Sequence, residues 1–128
     1  MSYPIENVRP KFDLTGRNYV VTGGAQGIGF ALTHAICEMG GNVTVWDIQD
    51  KPVDEFFTLA EKFKVKTAYI KTDVSKEESL TAAFTKTLAD VKTIHGCVPA
   101  AGIAIDKPFI EQTWEEYNRI QDINVGRL

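Results

Sequence analysis

The chain has few cysteines, no block of basic residues and no long apolar run, and each shortage excludes a class of function. Its two cysteines, Cys37 and Cys97, lie sixty residues apart with neither C-x-x-C nor metal-ligand spacing. Both are therefore expected as buried, reduced thiols and not as a disulfide or a zinc site. The formal net charge is -3 and the Lys and Arg residues are scattered, which leaves no electrostatic footprint for nucleic acid or an anionic membrane. No stretch approaches the ~18 apolar residues of a membrane span. The first ten residues carry one Arg and no apolar core, so no secretory leader is evident and a cytoplasmic location is the default expectation. His34 and His95 have no neighbouring ligands, and no Cys/His/Asp/Glu cluster has metal spacing, so no metal is expected.

What is present is an ordinary core-forming composition. The 128 residues, 44% apolar and 24% charged, suit one globular domain with a real core. Residues 1 to 13 are polar, carry Pro4 and Pro10, and read as a flexible N-terminal arm. From residue 14 strand and helix patterns alternate. Tyr19 to Thr22 is a short strand. Gly27 to Met39 then sets Ile28, Leu32, Ala35, Ile36 and Met39 at helical spacing, and Gly40-Gly41 ends that helix. Asn42 to Asp47 is a second strand. Asp50 is expected to cap a second helix, with Pro52 in its first turn and Val53, Phe56, Phe57, Ala60 and Phe63 as its buried stripe. Val65 to Lys71 reads as a third strand. Ser75-Lys76-Glu77-Glu78 reads as a capping box before Leu80, Ala83, Phe84, Thr87, Leu88 and Val91. Ile94 to Ala101 is a fourth strand. A second capping box, Thr113-Trp114-Glu115-Glu116, opens a last helix that carries Tyr117, Ile120, Ile123 and Asn124 and runs to Leu128. Trp114 and Tyr117 are expected to pack. The β-α-β-α-β-α-β-α order predicts an α/β, Rossmann-like, doubly wound parallel sheet, because right-handed crossovers lay helices on both faces.

The candidate site begins at Thr22-Gly23-Gly24-Ala25-Gln26-Gly27-Ile28-Gly29, between the first strand and the first helix. Glycine at 23 and 27 allows positive φ and close backbone approach, and Gly29 lets helix and strand pack tightly. Strand, glycine turn and helix in that order point backbone N–H groups and the positive end of the helix dipole at a phosphate. Asp47, followed by Ile48, ends the second strand eighteen residues after Gly29, where an acidic residue meets adenosine ribose hydroxyls. A carboxylate there repels a 2′-phosphate, so NAD is expected over NADP. Asp73, with Val74, follows the third strand as a candidate acceptor for the adenine amino group or, equally, a loop aspartate. Ala100-Ala101-Gly102 follows the fourth strand, where small residues either admit a ligand or simply pack a turn.

Together these residues resemble the short-chain dehydrogenases/reductases over about residues 14 to 125. Thr22 to Gly29 resembles the T-G-x-x-x-G-[IL]-G turn of that family, Thr72-Asp73-Val74 its adenine-pocket D-V, and Ala100-Ala101-Gly102 its N-N-A-G, with Pro99-Ala100 in place of the two asparagines. Asn124-Val125 matches the start of N-V-x-G, whose Asn holds a water in a proton relay, whereas Arg127 stands where Gly is expected. The polyol and sugar-ketose reductase branch is the one its wording most resembles. The resemblance implies an oxidoreductase interconverting a secondary alcohol and a ketone, homo-oligomeric, whose chemistry belongs to a Ser and a Tyr-x-x-x-Lys. No Tyr-x-x-x-Lys exists here, because Asn7, Gly23, Asp73 and Gln121 stand four after the four tyrosines.

The resemblance further implies a four-stranded sheet ordered 3-2-1-4, the cofactor-binding half of a longer fold, with the fourth strand an exposed edge through which the chain self-associates. The departure at Gly126-Arg127-Leu128 is expected to mark a reading-frame change, a retained intron or an alternative end. Two functions follow as expectations: the cofactor half of such an oxidoreductase, without turnover alone, or a non-enzymatic nucleotide-binding or interaction fragment that pairs with full-length relatives.

Overall fold

The computed structural model describes residues 7–125. A 3-10 turn at Arg9–Phe12 leads into β1 (Asn18–Thr22), α1 (Gly27–Glu38), β2 (Asn42–Asp47), α2 (Phe56–Phe63), β3 (Thr67–Lys71), α3 (Glu77–Val91), β4 (Gly96–Pro99), a second 3-10 turn at Phe109–Glu111 and α4 (Trp114–Asn124). All four strands are parallel and lie in the order β3-β2-β1-β4, as expected. β1 and β2 occupy the middle because they are apolar or threonine-rich on both faces, as strands covered on both sides must be.

Alternating side chains divide the core into two clusters on opposite faces of the sheet. On one face Val21, Val43 and Val45 meet Cys37 of α1 and Phe56 and Leu59 of α2, all buried. On the other, Val20 and Trp46 meet Ala83 of α3. Trp46 is fully buried, stands edge-on to Phe84 at 4.6 Å and donates its Nε1–H to Thr87 Oγ1 at 3.1 Å.

Several expectations need correction. The buried stripe of α1 is Gly29, Thr33 and Cys37, whereas Ile28 is 81% exposed and Leu32 and Met39 are also exposed. Close packing of Gly29 against the glycine turn sets the rotation of this helix and overrides its apolar pattern. α2 starts at Phe56, and Asp50 does not cap it but pairs with Lys71. The segment before it is drawn across the glycine turn instead, with Val53 N–H donating to the Ala25 carbonyl at 2.9 Å. The buried stripe of α2 includes Leu59 while Phe57 is exposed. Ser75 does not form a capping box: its hydroxyl donates to Asp73 Oδ1 at 2.6 Å, and the carboxylate, a stronger acceptor, takes it from the helix.

The second box is present as predicted, with Thr113 Oγ1 accepting from Glu116 N–H and Glu116 accepting from Thr113 N–H. α4 nonetheless buries none of its residues, and Trp114 and Tyr117, expected to pack, meet only each other, edge-on at 5.6 Å, and are both exposed. Cys37 is buried and its thiol is pushed up to about 11 by desolvation. Cys97 is exposed, contrary to expectation, because β4 is an edge strand. His34 stands edge-on to Phe63, and His95 Nδ1 accepts from Asn18 N–H at 3.0 Å. Of the expected arm, residues 1–6 lie outside the described residues, as does the Gly126-Arg127-Leu128 junction. Where the arm ends, Leu14 N–H donates to the Met39 carbonyl and ties it to the end of α1.

Thr87→Val leaves the Trp46 N–H buried without an acceptor and should lower the unfolding free energy by about 1–3 kcal/mol. In a Trp46→Phe background the same substitution should cost much less; urea unfolding of the four variants reads the coupling directly.

Candidate functional site

The carboxyl ends of the four strands open into a cleft of about 430 Å³, a size typical of small-molecule pockets. Its position follows from topology. The chain turns back to opposite sides of β1 to reach β2 and β4, so the loops after β1 and β4 diverge and leave a crevice.

The glycine turn contributes Gly23, Gln26, Gly27, Ile28 and Gly29 to the wall. Gly23 has φ +67°, and a Cβ on it would lie 2.6 Å from Ala101 Cα, so only glycine fits between the ends of β1 and β4. A Cβ on Gly29 would lie 2.0 Å from the Gly23 carbonyl oxygen, so the first turn of α1 sits directly on the turn that precedes it. Gln26 is the N-cap, extended and without a side-chain capping bond. The first N–H groups of α1 consequently have no intrahelical acceptor and stand at the positive end of the helix dipole, beside the cleft. Thr22 is not part of the wall. It is buried behind it, where its Oγ1 accepts from Ala101 N–H at 3.2 Å.

From the end of β2 come Asp47 and Ile48. Asp47 is 8% exposed. Its Oδ2 accepts from Ala25 N–H at 3.0 Å and its Oδ1 from Gln49 N–H at 3.1 Å. The carboxylate thus clasps the glycine turn to the end of β2. Each oxygen keeps a further lone pair for a ligand. Tyr69 lies below, donating its hydroxyl to the Gln49 carbonyl at 2.7 Å. Burial, with added repulsion from the Asp47 and Asp50 carboxylates, pushes its phenol up to about 12.

From the end of β3 come Asp73 and Val74. Asp73 Oδ1 accepts from both Ser75 N–H (3.0 Å) and Ser75 Oγ (2.6 Å), and Lys76 stands 3.8 Å from Oδ2. The Ser75 hydroxyl is the main reason this carboxyl is held below the usual carboxylate range, with Lys76 and Arg119 adding to it against the opposing cost of burial. Its Oδ1 organises the turn into α3, whereas its Oδ2 accepts no hydrogen bond from any described residue.

The end of β4 supplies Ala100, Ala101 and Gly102. Without the two asparagines of the similar motif, this strand end is braced by Thr22 at Ala101 and by Asn124 just beyond. Asn124 accepts from Ile103 N–H at 2.8 Å and donates to the Ile103 carbonyl at 2.9 Å, so both ends of its amide clamp the backbone. The same loop is tied to α4 by Lys107 and Glu116 at 2.6 Å.

Six further residues border the cleft without having been counted as site residues from the sequence: Trp46, Gln49, Thr72, Ile103, Arg119 and Ile123. Trp46, Gln49 and Thr72 adjoin or nearly adjoin the aspartates at strand ends and were within reach of a reading extended to flanking positions. Arg119 and Ile123 are on α4, and no local pattern says that this helix folds back over the cleft. Among the described residues no group of three or more His, Cys, Asp or Glu is placed to hold a metal ion, and no helix is long and apolar enough to cross a membrane.

Comparison with known proteins adds a consistent set of likenesses. Residues 23–127 match the family model described as enoyl-(acyl carrier protein) reductase. The chain is 31% identical to an uncharacterised oxidoreductase of Schizosaccharomyces pombe, covering all of this chain and 51% of that protein. It is 33% identical to a 3-oxoacyl-(acyl carrier protein) reductase of Chlamydia muridarum, over 90% of this chain and 47% of the other. Among solved structures, the NADPH-dependent 3-quinuclidinone reductase from Rhodotorula rubra superposes with a TM-score of 0.83 at 26% identity, over 97% of this chain and 47% of that one. The chain thus spans about half the length of these relatives.

Gly23→Ala and Gly27→Ala should separate conformational strain from steric contact. Gly27, at φ +56° with nothing within 4 Å of an added Cβ, should lose about 1–2 kcal/mol from the left-handed backbone alone. Gly23→Ala carries the same strain plus the collision with Ala101 and should be markedly less stable, as thermal unfolding of the two variants will show.

Proposed function

The chain belongs to the short-chain dehydrogenase/reductase family, and from that premise we propose that it is the cofactor-binding part of an oxidoreductase interconverting a secondary alcohol, polyols included, and a ketone, with NAD(H) preferred over NADP(H). The observation that carries the preference is Asp47. Its carboxylate is fixed by two backbone amides at the cleft end of β2, and among the described residues no basic side chain forms an ion pair with it. Lone pairs so placed accept ribose hydroxyls, and the negative charge opposes a 2′-phosphate. The Rhodotorula relative is NADPH-dependent by its own name, so the preference proposed here belongs to this chain and not to its relatives at large.

The residues present fit a dinucleotide. The space that a Cβ at Gly23 would fill and the uncapped start of α1 suit the pyrophosphate. Asp47 and Ile48 suit the adenosine ribose, Asp73 and Val74 the base, and Ala100, Ala101 and Gly102 the nicotinamide side. Bound nicotinamide would supply or accept the hydride. The chain's own part is to hold and orient it. The Ser and Tyr-x-x-x-Lys that family resemblance calls for are not among these 128 residues, and Asn124, the relay position, has its amide committed to Ile103. We therefore propose no turnover for the chain by itself.

Titration of NADH and NADPH into a Trp114→Phe variant, followed by fluorescence of Trp46, tests this reading. NADH should bind about tenfold or more tighter, equivalent to about 1.4 kcal/mol, and Asp47→Asn should narrow the gap. Equal affinity for the two cofactors would overturn the preference. Absence of binding at millimolar NADH, or sustained alcohol oxidation by the purified chain, would overturn the wider reading.

A second reading rests on the exposed edge. β4 pairs with β1 alone, and Phe109, Ile110 and Trp114 are 88%, 90% and 80% exposed. Such a surface suits an interaction fragment that pairs with a full-length relative or with itself. Sedimentation of the chain alone and mixed with a full-length relative should then show a concentration-dependent heavier species, and a monomer in both cases would dismiss it.

A further inference from the structure

A cation stands beside the strand end that carries Asp47. Lys71, the last residue of β3, is the register partner of Asp47. Adjacent parallel strands lie about 4.8 Å apart, and register partners project to the same face of the sheet. The preceding pair on that face, Val45 and Tyr69, meets the core beneath α1 and α2. Lys71 therefore stands next to the carboxylate proposed to keep a 2′-phosphate out.

Its ammonium nevertheless pairs elsewhere. Lys71 Nζ donates to Asp50 Oδ1 at 2.5 Å, and the two side chains are 61% and 89% exposed. The cleft wall takes in Thr72, Asp73 and Val74 but not Lys71. Asp50 can reach it because the loop before it is fixed. Gln49 donates its N–H to Asp47 Oδ1 at 3.1 Å, and its carbonyl accepts from the Tyr69 hydroxyl at 2.7 Å. Tyr69 and Lys71, two apart on β3, thus hold two consecutive residues of the loop, Gln49 and Asp50.

An exposed ion pair contributes little to stability, so its consequence lies in where it keeps the charge. While Asp50 holds Lys71, no ammonium offsets the carboxylate of Asp47. Released, the ammonium would stand beside Asp47 on a flexible four-carbon stem, a compact charge with three donors. There it would both oppose the negative charge of Asp47 and bind a phosphate.

Resting on the cofactor reading above, we propose that Asp50 is a specificity-determining residue: by holding Lys71 outside the cleft it keeps closed a latent site for a phosphate on the adenosine ribose. The preference for NAD(H) then depends on the Asp50–Lys71 pair as well as on Asp47.

The test uses the intact chain carrying Trp114→Phe, with its NADH and NADPH affinities measured first. Asp50→Ala, Asp50→Asn, Lys71→Ala and the Asp50→Ala/Lys71→Ala double variant are then compared. Both side chains are exposed, so the variants should keep the fold, and urea midpoints check this. Asp50→Ala should raise the NADPH-to-NADH affinity ratio about three- to tenfold, the size of one new contact between partly screened charges. Asp50→Asn should move it in the same direction. With Lys71→Ala already in place, Asp50→Ala should raise the ratio about twofold at most, the effect of removing a screened charge alone. A ratio unmoved by Asp50→Ala, or raised equally with and without Lys71, would overturn the inference while leaving the cofactor reading intact. Failure of the parent chain to bind NADH would instead overturn the cofactor reading itself, and this inference with it.

Discussion

The contact on which the rest of the structure depends is the seat of Gly29 on the Gly23 carbonyl. Only a hydrogen fits there. Because α1 must approach β1 this closely, its rotation about its own axis is fixed at the first turn. Gly29, Thr33 and Cys37 consequently face the sheet at four-residue intervals, and Thr33 closes the stripe by donating its hydroxyl back to the Gly29 carbonyl. The same approach leaves the first amides of α1 open beside the cleft. A single steric requirement thus sets both how the helix packs and what the site offers.

Asp47 works in a similar double capacity. Its two oxygens hold Ala25 of the glycine turn and Gln49 of the following loop, so the residue proposed to face a ribose also maintains the turn proposed to face the phosphates. Val53 N–H adds a tie from the segment before α2 to the Ala25 carbonyl. Thr22 and Asn124 brace the far side of the cleft in the same way, by bonding to the backbone of Ala101 and Ile103. The cleft is shaped mainly by side chains that bond to backbone, which keeps its geometry on the rigid strand ends.

The two sides of the sheet are unequal. β1 and β2 are buried between α1 and α2 on one face and α3 on the other, whereas β4 alternates between partly buried and exposed residues and α4 buries none. The well-covered side carries Asp47 and the glycine turn. The open side carries the exposed Cys97 and the aromatic pair Trp114 and Tyr117. The proposed cofactor functions lie mainly on the first side, and the proposed association lies on the second.

The strand-helix order, the glycine turn and the strand-end aspartate were legible in the sequence because each is encoded locally, by the alternation of periods, by residues that alone tolerate positive φ, and by the sign of the charge at a strand end. The Thr113 box was legible for the same reason, since all its partners lie within one turn. The 3-2-1-4 strand order is not a local property and was legible only through the family resemblance. What the tertiary structure decided were competitions between local and distant partners. Ser75 serves Asp73 and not its helix, Asp50 serves Lys71, and α1 turns its apolar Ile28 outward because Gly29 must face in. Arg119 was invisible for a related reason: its own helix gives it no special pattern, and it borders the cleft only because α4 folds back over the strand ends. Local chemistry named the candidates for the cleft, and packing determined which of their polar groups remain open to a ligand.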